Sequence, residues 1–303
     1  MPESPLVDLS SYFEPFSKRG IQLFIKREDL LHPHISGNKY RKLFYNLKEA
    51  KELGYDTLLT FGGAFSNHIV ATAYAAKKHG FNSIGIIRGE ELAFEELNPS
   101  LQFATSCGMN LHYVSRSDYR EKNSSEFIEG LKNRFGSFYL VPEGGTNELA
   151  VKGCEEILNK SDESFTHIAL AVGTAGTISG LIRSSKEHQR VLGFPALKGD
   201  FLKKNIGTFT SKSNWELITD YHFGGYAKIN RELVLFINDF YRKSGVPLDP
   251  IYTAKMTFGV FDLAKKDYFK SSDRVLMIHT GGLQAIEGMN NYLRTKKLPQ
   301  LIQ

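Results

Sequence analysis

The sequence lacks several features that mark particular classes of protein. It has only two cysteines, Cys107 and Cys154, and neither lies at the spacing of paired metal ligands. We therefore expect neither a metal site nor a disulfide framework. No apolar run approaches the length of a membrane span, so we expect no membrane partner. Residues 1–11 have no leading cations and no apolar centre. They predict no signal peptide, and we expect a cytoplasmic protein.

The excess of positive over negative charge is also small. The chain of 303 residues carries 38 Lys and Arg against 33 Asp and Glu, a net charge of +5. No basic run is interleaved with aromatic residues, so we expect no nucleic-acid partner. A hydrophobic content of 41% and a charged content of 23% are typical of globular proteins. The length suffices for one large domain or two modest ones.

Apolar strand patterns alternate with helical patterns along the whole chain. Strands are predicted at 21–26, 57–61, 83–88, 110–114, 138–141, 167–172, 191–194 and 274–279. Helical segments of ten or more residues separate most of them, among them 119–134, a helix capped by Asn147 that reaches about residue 159, and a helix after 173–177 that reaches residue 189. This alternation predicts an α/β fold with parallel sheets and helices on both faces.

Four glycine turns lie where a predicted strand or loop leads into a predicted helix. They are Gly37-Asn38, Gly62-Gly63, 173–176 and Gly281-Gly282, and we expect the last to open the final helix. Ligands of parallel α/β sheets bind at such junctions, outside the carboxyl ends of the strands. One glycine turn is a connector, but four at the same kind of position predict a shared site.

The stretch 36–43 places a lysine at the start of a helix. Leu43 and Leu47 begin the apolar face of this helix, and Lys39 precedes them beside the Gly37 turn. The positive end of the helix dipole repels an ammonium there. This repulsion, together with any burial, would lower the pKa of Lys39 and favour Schiff-base chemistry. From this stretch alone, a place among the many surface lysines is the more usual role for Lys39.

A second junction, residues 173–180, predicts an anion site. Its turn carries two hydroxyls and enters a helix, so that several backbone N–H groups can point at one phosphate. The glycine spacing is neither the dinucleotide fingerprint nor a P-loop. A plain tight turn is the alternative.

A third junction, residues 62–68, offers Ser66 or Asn67 as the cap of a helix. Alternatively Ser66, Asn67 and His68 project into a cleft, and the two interpretations weigh equally. No Gly-x-Ser-x-Gly elbow is present, which disfavours a serine hydrolase. Tyr226 and Tyr252 lie in loops, where a structural role would by itself be the usual one.

Together these motifs resemble the fold-type II pyridoxal-phosphate enzymes, specifically the 1-aminocyclopropane-1-carboxylate (ACC) deaminase and D-cysteine desulfhydrase family. The resemblance covers about residues 25–290 and rests on 26–30, 37–43, 62–68, 249–253 and 279–282. It implies two doubly wound α/β domains of the tryptophan-synthase-β-like kind with pyridoxal 5′-phosphate in the cleft between them. It places the large domain at 1–40 and 144–303 and the small domain at 41–143, and it implies a homodimer.

The resemblance also implies roles for individual residues. Lys39 would form the Schiff base, Asn67 would bind the phenolic oxygen of the cofactor and Thr253 would face the pyridine nitrogen. The phosphate would be held by Gly173, Thr174, Ala175, Gly176 and Thr177, although the family commonly has another glycine at position 175. The implied catalytic residues are Lys39, Ser66, Tyr226 and Tyr252. The implied substrate-binding residues are Ser66, Asn67, His68, Tyr226, Tyr252 and Thr280.

Two of these positions bear on the substrate. By this resemblance, ACC deaminases have Glu at the position of Thr253 and Leu at the position of Thr280. A carboxylate at the pyridine nitrogen would make the ring a strong electron sink, whereas a threonine makes a weaker one. A weaker sink suffices to eliminate sulfide, and opening a cyclopropane that has no α-proton is harder. We therefore expect a D-cysteine desulfhydrase that acts on a small amino acid.

Two alternatives stay open. One is an ACC deaminase. The other is a cofactor-binding protein without turnover, because Phe65 stands where relatives usually have glutamine before the serine.

Overall fold

The computed structural model describes residues 1–197 and 201–302. Within them the strands are, in chain order, β1 (Leu6–Asp8), β2 (Gln22–Lys26), β3 (Thr57–Gly62), β4 (Asn82–Arg88), β5 (Met109–Val114), β6 (Tyr139–Val141), β7 (His167–Val172), β8 (Arg190–Pro195), β9 (Trp215–Leu217) and β10 (Arg274–Ile278). Most strands are separated by helices.

The helices are α1 (Glu14–Ser17), α2 (Asn38–Glu52), α3 (Asn67–His79), α4 (Pro99–Ser106), α5 (Ser125–Phe135), α6 (Glu148–Glu155), α7 (Ala175–Ser184), α8 (Phe201–Gly207), α9 (Arg231–Ser244), α10 (Thr253–Lys265) and α11 (Ala285–Thr295). None of the helices in the described ranges is both long and apolar enough to cross a membrane.

The strands form two sheets. The larger has the order β1-β2-β10-β7-β8-β9, in which only β1 is antiparallel to its neighbour. The smaller has the order β5-β4-β3-β6 and is parallel throughout. The predicted α/β class with two parallel-sheet domains is confirmed. The predicted domain boundaries at 40/41 and 143/144 stay a prediction.

Each sheet is covered on both faces, as the continuous apolar strands require. On one face of the larger sheet Phe240 and Phe261 belong to an aromatic core, and on the other Ile178 packs from α7. The smaller sheet buries Leu58 against α3 on one face and Leu59 on the other. Helices therefore cover the faces of the sheets, and loops lie at the carboxyl ends of the strands.

Several predicted boundaries are wrong, and two of them have a local reason. The helix predicted over 119–134 begins at Ser125, because the Ser124 hydroxyl accepts the Phe127 N–H and caps it there. The helix predicted to reach residue 189 ends at Ser184. The turn at Gly281 and Gly282 does not open the final helix, which begins at Ala285. Both glycines have left-handed φ values of 79° and 97°, which a right-handed helix cannot contain.

Candidate active site

The helix that carries Lys39 begins against the loop after β10. Gly37 has φ 62°, and a Cβ there would lie 1.9 Å from the carbonyl oxygen of Thr280. The Asn38 N–H donates to the same oxygen at 3.4 Å. Only glycine allows this approach, so Thr280 and the start of α2 are held together by backbone.

Lys39 is half-buried at this helix start, and its Nζ donates to Asn38 Oδ1 at 2.9 Å. Burial lowers the pKa of Lys39 to about 8, while the nearby Cys154 thiol and Asp249 carboxylate act in the opposite direction. The predicted lowering is confirmed. Its main cause is desolvation rather than the helix dipole that the sequence suggested.

The predicted phosphate cradle is the N-terminus of α7. Thr174 occupies the N-cap position with extended backbone, and no side chain caps the terminus. A helix terminus without a side-chain cap offers backbone N–H groups and the positive end of a dipole to an anion. Gly176 leaves room for the Thr146 side chain beside the cradle, since a Cβ at position 176 would lie 3.1 Å from Thr146 Oγ1.

Lys42 faces this cradle, although no sequence motif predicted a role for it. Its Nζ donates to Gly144 O at 2.8 Å and to the hydroxyls of Thr146 and Thr174, both at 3.1 Å. Burial, and then the positive charge of Lys39, lower the pKa of Lys42 to about 7. The available signal was its spacing of three residues from Lys39, which places both on one helix face.

Ser66 caps α3, as one of its two interpretations predicted. Its Oγ accepts the N–H groups of His68 at 3.2 Å and Ile69 at 3.4 Å. The hydroxyl proton is left for another acceptor, so capping and substrate binding are compatible. Phe65, directly before it, is 56% exposed.

Asn67 reaches across to the larger domain. Its Oδ1 accepts from Gln284 Nε2 at 2.8 Å. Its Nδ2 is the amide atom beside Gly282, where a Cβ would come within 2.8 Å. This arrangement leaves an N–H donor next to the loop after β10.

His68 lies in the interior rather than at a surface. It is 2% exposed, and its Nε2 is 2.7 Å from Thr60 Oγ1, which itself donates to Val141 O at 2.8 Å. The hydroxyl proton of Thr60 is thus used, so the proton between the two side chains belongs to His68 Nε2. Burial, followed by the charges of Lys39 and Lys42, lowers the pKa of His68 well below its ordinary value.

Tyr252 and Tyr226 lie together beside the cradle. A Cβ on Gly173 would be 3.0 Å from Tyr252 Cε1, and the two tyrosine rings are 6.1 Å apart in an edge contact. Burial raises the pKa of Tyr226. Burial, followed by the electrostatic effect of the neighbouring Tyr226, raises the pKa of Tyr252 well above its ordinary value. Both phenols therefore keep their protons at neutral pH and act as donors.

Thr253 and Asp249 form a buried turn at the start of α10. The Thr253 hydroxyl accepts the Asp249 N–H at 2.8 Å. The Asp249 carboxylate accepts three N–H groups, from Ile251 at 3.2 Å, Tyr252 at 2.7 Å and Thr253 at 3.1 Å. Burial nevertheless raises the pKa of Asp249 to about 6. Asp249 also adjoins the Gly282 turn, where a Cβ would lie 3.0 Å from its Cγ.

The four glycine junctions therefore meet in one place. The Gly37 turn touches Thr280, the Gly282 turn touches Asn67 and Asp249, and Tyr252 touches the cradle. The donor set is a half-buried amine of lowered pKa, an anion cradle faced by Lys42, and an amide N–H. These groups fit a ring compound that carries an aldehyde, a phenolic oxygen and a phosphate.

Comparison with known proteins agrees with this donor set. Residues 2–281 match the family described as "Pyridoxal-phosphate dependent enzyme". A putative 1-aminocyclopropane-1-carboxylate deaminase of Pyrococcus horikoshii is 32% identical, over 87% of this chain and 85% of the relative. The mitochondrial bifunctional D-cysteine desulfhydrase/1-aminocyclopropane-1-carboxylate deaminase of Arabidopsis thaliana is also 32% identical, over 89% of this chain and 74% of the relative.

A crystal structure of an ACC deaminase homologue superposes with a TM-score of 0.84 at 30% identity, covering 97% of this chain and 94% of the other. The match therefore extends through both sheets and all four junctions. The chain belongs to the family of pyridoxal-phosphate-dependent enzymes.

Proposed function

We propose that the protein is a lyase that converts D-cysteine and water into pyruvate, ammonia and hydrogen sulfide. The observation that carries this choice is the residue at position 253, which is a buried threonine and not a carboxylate, while the Asp249 carboxylate of the same turn already accepts three backbone N–H groups. A hydroxyl shares a neutral hydrogen bond and does not hold a ring nitrogen protonated as a carboxylate does.

Bound pyridoxal phosphate supplies an aldehyde that condenses with amines and a ring that withdraws electrons from the bonds at Cα. The residues of the chain divide the remaining tasks. Lys42 and the N-terminus of α7 would hold the phosphate, and the Asn67 amide would donate to the phenolic oxygen. The Lys39 amine, with a pKa of about 8, would hold the aldehyde and would be the base that takes the α-proton of the substrate.

The two tyrosines and Ser66 face the substrate in this proposal. Tyr226 and Tyr252 keep their phenolic protons at neutral pH, and one of them can donate to the sulfur that leaves. Ser66 has a hydroxyl proton to donate to the substrate carboxylate.

ACC deaminase is the second candidate, because the Pyrococcus relative and the solved homologue carry that name. It would convert ACC and water into 2-oxobutanoate and ammonia. A holoenzyme that binds the cofactor without turning over either compound would support the third hypothesis, in which Phe65 blocks catalysis.

The deciding experiment gives the reconstituted holoenzyme D-cysteine, L-cysteine and ACC separately. Sulfide and pyruvate from D-cysteine in equal amounts are the expected products. Release of 2-oxobutanoate from ACC with no sulfide from either cysteine would overturn the proposal in favour of the deaminase.

A further inference from the structure

The loop that carries Tyr226, residues 222–227, has a strained backbone. The φ angle is positive at Phe223 (53°), Gly224 (95°), Gly225 (120°) and Ala227 (54°). Left-handed backbone is costly for residues with a side chain, and it persists only where the surroundings hold it in place. We call this segment the Tyr226 loop.

Lys255, in the first turn of α10, contacts this loop from below. It is 2% exposed, and its Nζ donates to His222 O at 2.9 Å and to Gly225 O at 2.7 Å. The same two oxygens accept backbone N–H groups, from Gly225 at 3.0 Å and from Lys228 at 3.2 Å. A carbonyl oxygen has two lone pairs, so the Lys255 ammonium supplies the second hydrogen bond to each of these two oxygens.

The same helix supports the loop at two further points. Its N-cap residue is Tyr252, whose ring makes the edge contact with Tyr226. Phe258, one turn after Lys255, packs edge-on against Phe223 at 5.0 Å. One rigid helix thus presents Tyr252 and fixes the segment that presents Tyr226.

We propose that Lys255 is a positioning residue, whose two hydrogen bonds hold the Tyr226 loop so that the Tyr226 phenol lies beside Tyr252 over the cofactor site. This inference rests on the proposed function in assigning Tyr226 to the substrate. The contacts of Lys255 with the loop do not depend on that assignment.

A purely structural role is the alternative, and a double-mutant cycle separates the two. Lys255→Met keeps the length of the side chain and removes its donors. We expect kcat/KM of the holoenzyme for D-cysteine to fall about ten- to hundredfold, as for a lost pair of charge-assisted hydrogen bonds. Because Lys255 acts through Tyr226, Lys255→Met combined with Tyr226→Phe should be no slower than the slower single variant. Losses that multiply in the double variant would overturn the proposal.

The matched control is Lys265→Met, the same substitution at an exposed position of the same helix. It should leave kcat/KM unchanged. A loss equal to that of Lys255→Met would show that the substitution acts through helix α10 in general, which contradicts the proposal.

A second measurement needs no turnover. Lys228 is exposed directly after the loop, so trypsin cleavage there in the cofactor-free protein reports how often the loop opens. We expect Lys255→Met to raise this rate about tenfold or more, with Lys265→Met at the wild-type rate. Equal rates in all three would overturn the proposal. If the wild type lacks turnover, the proposed function fails while cleavage still tests the loop contact.

Two milder variants keep the test decisive if Lys255→Met does not fold. Lys255→Arg retains a cation that can donate to both carbonyls, and Lys255→Gln retains a shorter amide donor. Cleavage should be slowest in the wild type, faster with arginine and fastest with glutamine. Equal rates, or the reverse order, would contradict a role for Lys255 in holding the loop.

Discussion

Lys42 offers the sharpest test of the phosphate cradle. Its ammonium already meets Gly144, Thr146 and Thr174 at 2.8–3.1 Å, and it faces the N-terminus of α7, which has no side-chain cap. A hydrogen bond to a charged group contributes about 1.5–3 kcal/mol. Lys42→Met should therefore weaken binding of pyridoxal phosphate roughly ten- to hundredfold, at about 1.4 kcal/mol per factor of ten.

The assay titrates the cofactor-free protein with pyridoxal phosphate and, separately, with pyridoxal, which has the aldehyde but no phosphate. Lys42→Met should weaken only the first. Lys48→Met, at an exposed position of the same helix, should change neither. An equal loss for both compounds would refute the assignment, because the effect would then lie in the amine or the fold.

Uptake of a proton on cofactor binding is an independent test of the contact between Lys42 and the phosphate. The pKa of Lys42 in the cofactor-free protein is lowered to about 7, and an adjacent phosphate dianion would raise it. Below pH 7 Lys42 is already charged, whereas at pH 8 it must take up a proton as phosphate binds. Calorimetry in buffers of different ionisation enthalpy should therefore show about one more proton taken up at pH 8 for pyridoxal phosphate than for pyridoxal, and Lys42→Met should abolish this difference.

The remaining predictions concern the stability of the fold. Gly37→Ala should destabilise the fold by more than about 2 kcal/mol in urea unfolding and abolish cofactor binding, because its Cβ would overlap the Thr280 carbonyl. Gly130→Ala, in the exposed middle of α5 with open space around it, should instead stabilise by about 0.5–1 kcal/mol. Arg41→Met should cost about 3–5 kcal/mol, since it leaves buried Glu28 without its paired guanidinium at 2.8 Å; unchanged stability would refute that pair's importance.

Much of the fold followed from local sequence patterns. Strands such as 167–172 are buried on both faces, so their apolar run is unbroken, and the predicted bounds match the observed strand. Helix starts with a polar cap were also predictable, as with Asn147, whose side chain accepts the Ala150 N–H. Two boundaries that failed had different causes: Ser124 was not recognised as the cap of α5, and the φ angles of Gly281 and Gly282 are not dictated by adjacent residues.

The site was predictable as a set of junctions but not in its supporting contacts. Glycine turns at strand ends indicate where a ligand binds, whichever ligand it is. Lys42, Asp249 and Lys255 were missed as functional candidates because lysine and aspartate near helix starts are usually solvated. Only tertiary burial distinguishes these three, and burial arises from segments far away in the chain.

The position of β10 in the larger sheet has a consequence for biosynthesis. This strand is the last in the sequence, yet it lies between β2 and β7 and leads into the loop that receives the start of α2. The smaller sheet draws all its strands from residues 57–141 and can close while the ribosome is still making the rest. The larger sheet has a gap until β10 emerges, so a nascent chain becomes able to capture its cofactor only after residue 278 has left the ribosome.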